Sequence, residues 1–145
     1  MRALIQRVTQ ASVSIAGGKV GEIDTGLLVL LGVAQEDNTA KAEKLAERLM
    51  NYRIFADNQG RMNNSLKTIE GELLIISQFT LCADTQKGLR PGFTTAASPE
   101  IAEGLYTHFV DYCTKQIARV ETGFFGADMQ VSLVNDGPVT FLLES

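Results

Sequence analysis

Ser77, Gln78 and Thr80 stand in the run GELLIISQFTL, which is otherwise mostly apolar. Read as a strand, the run alternates, with Ser77, Phe79 and Leu81 on one face and Gln78 and Thr80 on the other. Two readings fit. In one, the strand has a half-wet face. In the other, the hydroxyls, the Gln78 amide and nearby backbone N–H groups form a set of neutral donors able to stabilise a developing oxyanion. A second segment, NDGPVTF, is equally double. Asn135, Asp136 and Gly137 between alternating runs read as a turn joining two strands. Pro138 directly after glycine is less usual there, because it removes a ladder donor and permits a cis bond at modest cost. A cis bond would turn two consecutive carbonyls outward, an arrangement suited to an ammonium group.

Other chemistries find less support. The single histidine, His108, sits within a helical pattern beside an apolar stripe, and no serine or cysteine motif offers it a triad. There is no HExxH, P-loop or GxGxxG after a strand, so zinc hydrolysis, phosphate cradling and dinucleotide binding lack their motifs. Cys82 and Cys113 lie in apolar surroundings without metal-ligand spacing, which points to free thiols in a reducing compartment. Glu22, Glu43 and Glu70 read as solvated faces. No metal and no cofactor are expected.

The elements that must position SQFTL and NDGPVTF follow from periodicity. Arg2 to Val8 and SVSIAGGKVGEI alternate around Gly17 and Gly18, predicting a hairpin. LLVLLGV, Leu27 to Val33, is a continuous apolar run of strand length and should be central to a sheet. Ala42, Leu45, Leu49 and Tyr52 recur at helical spacing, with Asp37 or Asn38 as cap. Ser98, Pro99 and Glu100 begin a second helix whose stripe is Ile101, Leu105, Phe109 and Tyr112, beside Ala102 and Cys113. The chain closes on two alternating strands. The predicted class is α+β: a single domain, 1–145, with a largely antiparallel, barrel-like sheet and two main helices packed on it.

At 145 residues, 45% hydrophobic and 21% charged, the chain can bury a core without disulfide staples. A formal net charge of −4 requires any nucleic-acid partner to be held by a local basic patch. Lys87 and Arg90, with Arg53, Arg61 and Lys67, are candidates for such a patch or for a plain solubilising surface. No segment approaches the roughly 20 apolar residues that span a bilayer, and no signal-peptide pattern opens the chain. A soluble, cytoplasmic protein is expected.

With these motifs in view, the chain resembles the D-aminoacyl-tRNA deacylases, the bacterial and eukaryotic type often called D-tyrosyl-tRNA deacylase. The resemblance runs through MRALIQRV, GLLVLLGV, YRIF, SQFTL with ADTQKGLRP, the SPE helix start and ADMQVSLVNDGPVTF. It implies hydrolysis of the ester between a D-amino acid and the terminal ribose of tRNA, by a homodimer whose active sites lie at the subunit interface. SQFTL of one chain would face the Gly-Pro motif of the other. The family pattern implies that Gly137 and Pro138 form a cis peptide whose carbonyls hold the substrate ammonium, while Ser77, Gln78, Phe79 and Thr80 line the ester. Arg7 would brace the Gly-Pro loop. Phe125, Gly126 and Met129, with Ala102, would wall the approach to the terminal adenosine, and Lys87 and Arg90 would meet phosphate.

The resemblance also implies a chiral filter in which the D side chain points to solvent and the L side chain into the Gly-Pro wall. Glycine, with no side chain to collide, should pass. Three rivals remain at this stage: a non-catalytic nucleic-acid-binding module, an esterase or amidase of small metabolites, and a purely structural dimer. The 7% aromatic content and absence of Trp weigh against the first.

Overall fold

The structure, a computed structural model, describes residues 1–86 and 88–145. Strands β1 (Arg2–Ile15) and β2 (Gly18–Ile23) form the expected hairpin. Ala16 and Gly17, at φ 49° and 80°, occupy the left-handed region, as a type I′ turn requires of both central positions. Strand β3 (Gly26–Gly32) pairs antiparallel with β1, and helix α1 (Thr39–Met50) follows. After a small separate ribbon of β4 (Phe55–Ala56) and β5 (Met62–Asn64), β6 (Glu72–Ser77) lies parallel to β3. Helix α2 (Pro99–Thr114) leads to β7 (Val120–Thr122), parallel to β6, and β8 (Gln130–Glu144) returns antiparallel to β1.

The class and the two helices are as the sequence predicts, and the sheet is mixed. Its parallel pairs, β3 with β6 and β6 with β7, are those reached across α1 and α2, since parallel neighbours need a long crossover and hairpins do not. The barrel-like curl brings β2 against β7, where a methyl group on Gly21 would stand 3.0 Å from the Thr122 carbonyl oxygen.

Side-chain alternation divides the core into two layers. Ile5, Leu27, Val29, Leu31, Leu73 and Ile75 face Leu45, Leu49 and Phe109 of the helices. Val8, Val13, Ile23, Leu28, Leu74 and Ile76 fill the inside of the curl. Each such side chain contributes on the order of 1.5–3 kcal/mol of burial. Both faces of β3 are covered, which is why its sequence is apolar without alternation.

Asn38 caps α1, its side-chain oxygen accepting from the Lys41 amide at 3.0 Å. Asp37 is taken elsewhere: its carboxylate receives the Met1 ammonium at 2.5 Å and the Ala34 amide at 2.7 Å. In α2 the Ser98 side chain makes no capping bond, and Pro99 opens the helix. The buried stripe is Ala102, Leu105, Tyr106, Phe109 and Cys113, whereas Ile101 is 51% exposed. His108 joins the two helices through Glu43, Nε2 to Oε1 at 2.9 Å. Among the described residues no helix is long and apolar enough to cross a membrane.

Two expected strand readings change. The run GELLIISQFTL is a strand only to Ser77, after which Phe79–Cys82 closes into a single 3-10 turn. Its polar residues stand at a strand's end rather than along one face. NDGPVTF is not a hairpin either, because β8 continues past it along the same neighbour, β1. Pairing with β1 resumes after a local excursion, which a turn signal read from local residues alone does not reveal.

Candidate active site

The carboxyl end of β6 builds the first half of the site. The Gln78 amide donates to the Leu31 carbonyl at 2.8 Å, holding the chain to β3 for one residue beyond the strand. The following turn begins with bonds from the Leu81 amide to the Gln78 carbonyl at 3.2 Å and from the Ala83 amide to the Thr80 carbonyl at 3.1 Å. The first N–H groups of a helical turn have no partner within it, and here those groups belong to Phe79 and Thr80. Gly32 makes this close approach possible, since a methyl group there would stand 3.0 Å from Leu81 Cβ and 3.1 Å from the Gln78 carbonyl oxygen. The turn's far end is pinned by Arg2, which donates to the Leu81 carbonyl at 2.7 Å, and by the Thr95 hydroxyl, which donates to the Cys82 carbonyl.

Within the turn, the Gln78 side-chain carboxamide donates from Nε2 to Thr80 Oγ1 at 2.5 Å. A hydroxyl that accepts from an amide keeps its own hydrogen free to donate. Thr80 is therefore arranged as a donor, and no basic side chain is bonded to it to make it a nucleophile.

A cavity of about 590 Å³ opens beside this turn, bounded by Ser77, Gln78 and Phe79, by Ala102 and Tyr106 of α2, and by Phe125, Gly126 and Met129. Seven of the expected site residues thus share one pocket, and Thr80 joins it through Gln78. Gly123 is buried against the Met129 thioether, and a methyl group there would lie 3.3 Å from Ile76 Cδ1. Gly126, at φ 75°, turns the loop back. Phe79, 58% exposed, stands at the mouth with its ring 5.0 Å from that of Phe93.

The remaining expected residues lie elsewhere on the chain. In the β1–β8 ladder Gln6 pairs with Thr140 and Val8 with Asn135, so Arg7 alone faces the four residues 136–139. These bulge outward, carrying the cis peptide between Gly137 and Pro138. The Arg7 guanidinium donates from Nε to the Asp136 carbonyl at 2.9 Å and from Nη1 to the Ile54 carbonyl at 2.6 Å. Arg7, Gly137 and Pro138 do not line the cavity of their own chain. Lys87 lies outside the described residues, and Arg90 is exposed in the loop leading to Phe93.

Tyr106 is a site residue the apolar-stripe reading overlooked, although its four-residue spacing from Ala102 marks the same helical face. Its hydroxyl donates to the Ile75 carbonyl at 2.7 Å, and its ring lies 5.9 Å from Phe125. Burial pushes the phenol pKa up to about 12, so it takes no part in proton transfer near neutrality. Tyr106→Phe should cost about 1 kcal/mol at pH 7 in denaturant titration. The folded phenol ionises later than the unfolded one, so its stabilisation is complete below pH 10 and fades as pH rises towards 12. The variant should accordingly lose less stability across that interval than the wild type.

Similarity to known proteins extends over the whole chain. The sequence model described as D-Tyr-tRNA(Tyr) deacylase matches residues 4–144. The D-aminoacyl-tRNA deacylase of Shewanella loihica is 62% identical over 144 residues, covering 99% of either chain, and that of Haemophilus influenzae strain 86-028NP is 59% identical over 143 residues, with 99% of each covered. Among solved structures, a c-Myc DNA Unwinding Element Binding Protein superimposes with a TM-score of 0.96 at 40% identity, covering 100% of this chain and 99% of that one. A probable eukaryotic D-amino acid tRNA deacylase shares the fold, with a TM-score of 0.87 at 17% identity over 99% of this chain and 98% of its own. From its fourth residue to its last strand, then, this chain belongs to the D-Tyr-tRNA(Tyr) deacylase family.

Proposed function

We propose that this chain is a D-aminoacyl-tRNA deacylase, a hydrolase that removes D-amino acids, and glycine, from the terminal ribose of tRNA as a proofreading step in translation. The observation carrying this reading is the free-amide turn at Phe79 and Thr80 set against an apolar cavity of adenosine-accommodating size, in a chain of this family. Water adds to the ester carbon, the carbonyl π electrons move to oxygen, and the Phe79 and Thr80 amides with the Thr80 hydroxyl receive that charge. Collapse breaks the bond to the ribose oxygen, which takes one proton of the attacking water by way of the neighbouring ribose hydroxyl, while the other passes to solvent and the amino acid leaves as its carboxylate. No side-chain base is needed if the neighbouring ribose hydroxyl orients the water, so Thr80 positions rather than attacks.

The whole chain works as one deacylase domain, and the unit of function is a homodimer. Val131 borders the cavity while Pro138 lies seven residues further along β8, roughly 20 Å at strand rise. A second copy would bring its Gly137–Pro138 loop over the first copy's cavity, with the loop carbonyls holding the ammonium and the loop wall refusing an L side chain. Leu133, Val134, Phe141 and Leu142, all exposed on β8, support such a contact. Lys87 and Arg90 serve as a rim for acceptor-end phosphates, and the protein works in the cytoplasm. One structural relative is named for binding a DNA unwinding element; a net charge of −4 weighs against any extended polyanion held by bulk charge, duplex DNA included, whereas a substrate gripped at its acceptor end needs few phosphate contacts.

The test is amino-acid release from D-tyrosyl-tRNA, L-tyrosyl-tRNA, glycyl-tRNA, L-alanyl-tRNA and free D-tyrosine ethyl ester. Cleavage of the D-tyrosyl and glycyl esters of tRNA alone is expected. Equal treatment of glycyl- and L-alanyl-tRNA would remove the steric filter, and turnover of the free ester would move the substrate class to small metabolites.

A further inference from the structure

The bulge at residues 136–139 is held at its neck by one side chain. Asn135 Oδ1 accepts from the Val139 amide at 2.6 Å, and Asn135 Nδ2 donates to Thr140 Oγ1 at 2.8 Å. The backbone of these four residues cannot continue the ladder opposite Arg7 alone, so the carboxamide supplies the closing bonds that the strand forgoes. It meets the chain on the side after Pro138, whereas Arg7 holds the Asp136 carbonyl before Gly137. Between these two anchors the direction of the Gly137 and Pro138 carbonyls is set from both sides. Asparagine suits the task because its carboxamide presents an acceptor and a donor together. Aspartate would keep the acceptor and lose the donor, and alanine would lose both.

We propose that Asn135 is a positioning residue of this enzyme, closing the bulge so that the loop carbonyls between Arg7 and Val139 present one fixed receptor for the substrate ammonium. This rests on the deacylase reading above. Asn135 need not touch the substrate. Its effect falls on how accurately the ammonium, and with it the ester carbon, is held, and a misplacement of about 1 Å is worth roughly 100-fold in rate.

The experiment compares wild type, Asn135→Asp and Asn135→Ala for kcat and KM on D-tyrosyl-tRNA, for residual cleavage of L-tyrosyl-tRNA, and for hydrogen exchange at the Val139 amide. Alanine should lower kcat by roughly 100-fold, with KM for the tRNA within about twofold and a smaller D-over-L ratio. The Val139 amide should exchange faster, and aspartate should restore both its protection and much of kcat. Wild-type kcat and selectivity in folded Asn135→Ala would overturn the proposal. If alanine fails to fold, Thr140→Val, which removes the second closing bond whichever way it points, decides: wild-type Val139 protection with part of kcat lost supports positioning by the pair of bonds, and unchanged kcat and D-over-L ratio overturns it. A wild type inert on every aminoacyl-tRNA sinks the deacylase reading instead, and the exchange result then still reports whether Asn135 closes the bulge.

Discussion

Gly137→Ala should slow release of D-tyrosine from tRNA by about 100-fold while leaving the protein folded. Gly137 sits at φ 138°, a backbone region that L side chains rarely adopt. An added methyl group would lie 2.6 Å from Val139 Cγ2, 3.1 Å from the Val139 amide nitrogen and 3.2 Å from Arg7 Nη2. The loop must therefore move, and the guanidinium that holds the Asp136 carbonyl must move with it. Asp136, Gly137 and Pro138 are exposed and take up most of the displacement, and only Val139, whose side chain is buried, carries it into the core. Single-turnover kinetics and a melting curve on the same preparation check both halves. A rate within about threefold of wild type would show that the carbonyl positions do not matter to catalysis.

Gly26→Ala should do the opposite, abolishing stable folding rather than chemistry. Gly26 pairs with Glu72 where β3 first meets β6, and a methyl group there would collide with the Glu72 carbonyl oxygen and stand 2.7 Å from the Glu72 amide nitrogen. These are backbone atoms within the ladder, so the strands must part. The expected loss is about 4 kcal/mol or more, a large share of the stability of a domain this size. Urea titration, or an absence of soluble protein, would report it. A native-like unfolding midpoint would mean that the first β3–β6 pair contributes nothing to holding Ser77 and Gln78 in place.

The contrast between these glycines marks what the sequence could express. Both helices, the β1–β2 hairpin and the buried β3 follow from spacing and turn chemistry, because each is decided by residues close in the chain. Gly26 and Gly32 carry no local sign of their role, since what crowds them, Glu72 and Leu81, is distant in sequence. SQFTL shows the same limit. Its alternation suggests a strand, yet the strand ends at Ser77 and the 3-10 turn is fixed by Arg2 and Thr95 from remote segments. The polar residues of the candidate site were visible as residues that sit poorly in a core. Their grouping with Ala102, Phe125 and Met129 entered through family resemblance, because no periodicity connects α2 to the loop after β7. The continuation of β8 through NDGPVTF was hidden for a related reason: a turn signal describes four residues and says nothing of the neighbour they rejoin.

The pairing of β1 with β8, Arg2 opposite Glu144, has a consequence for synthesis on the ribosome. β1 is synthesised before β8 yet takes it as a neighbour, so the edge of β1 that faces β8 stays bare until β8 has been translated. Contacts of such sequence separation form slowly, and an unpaired edge is a template for other chains. A nascent chain of this protein therefore needs that edge shielded until β8 emerges, and termination before β8 yields an adhesive fragment rather than a smaller working enzyme.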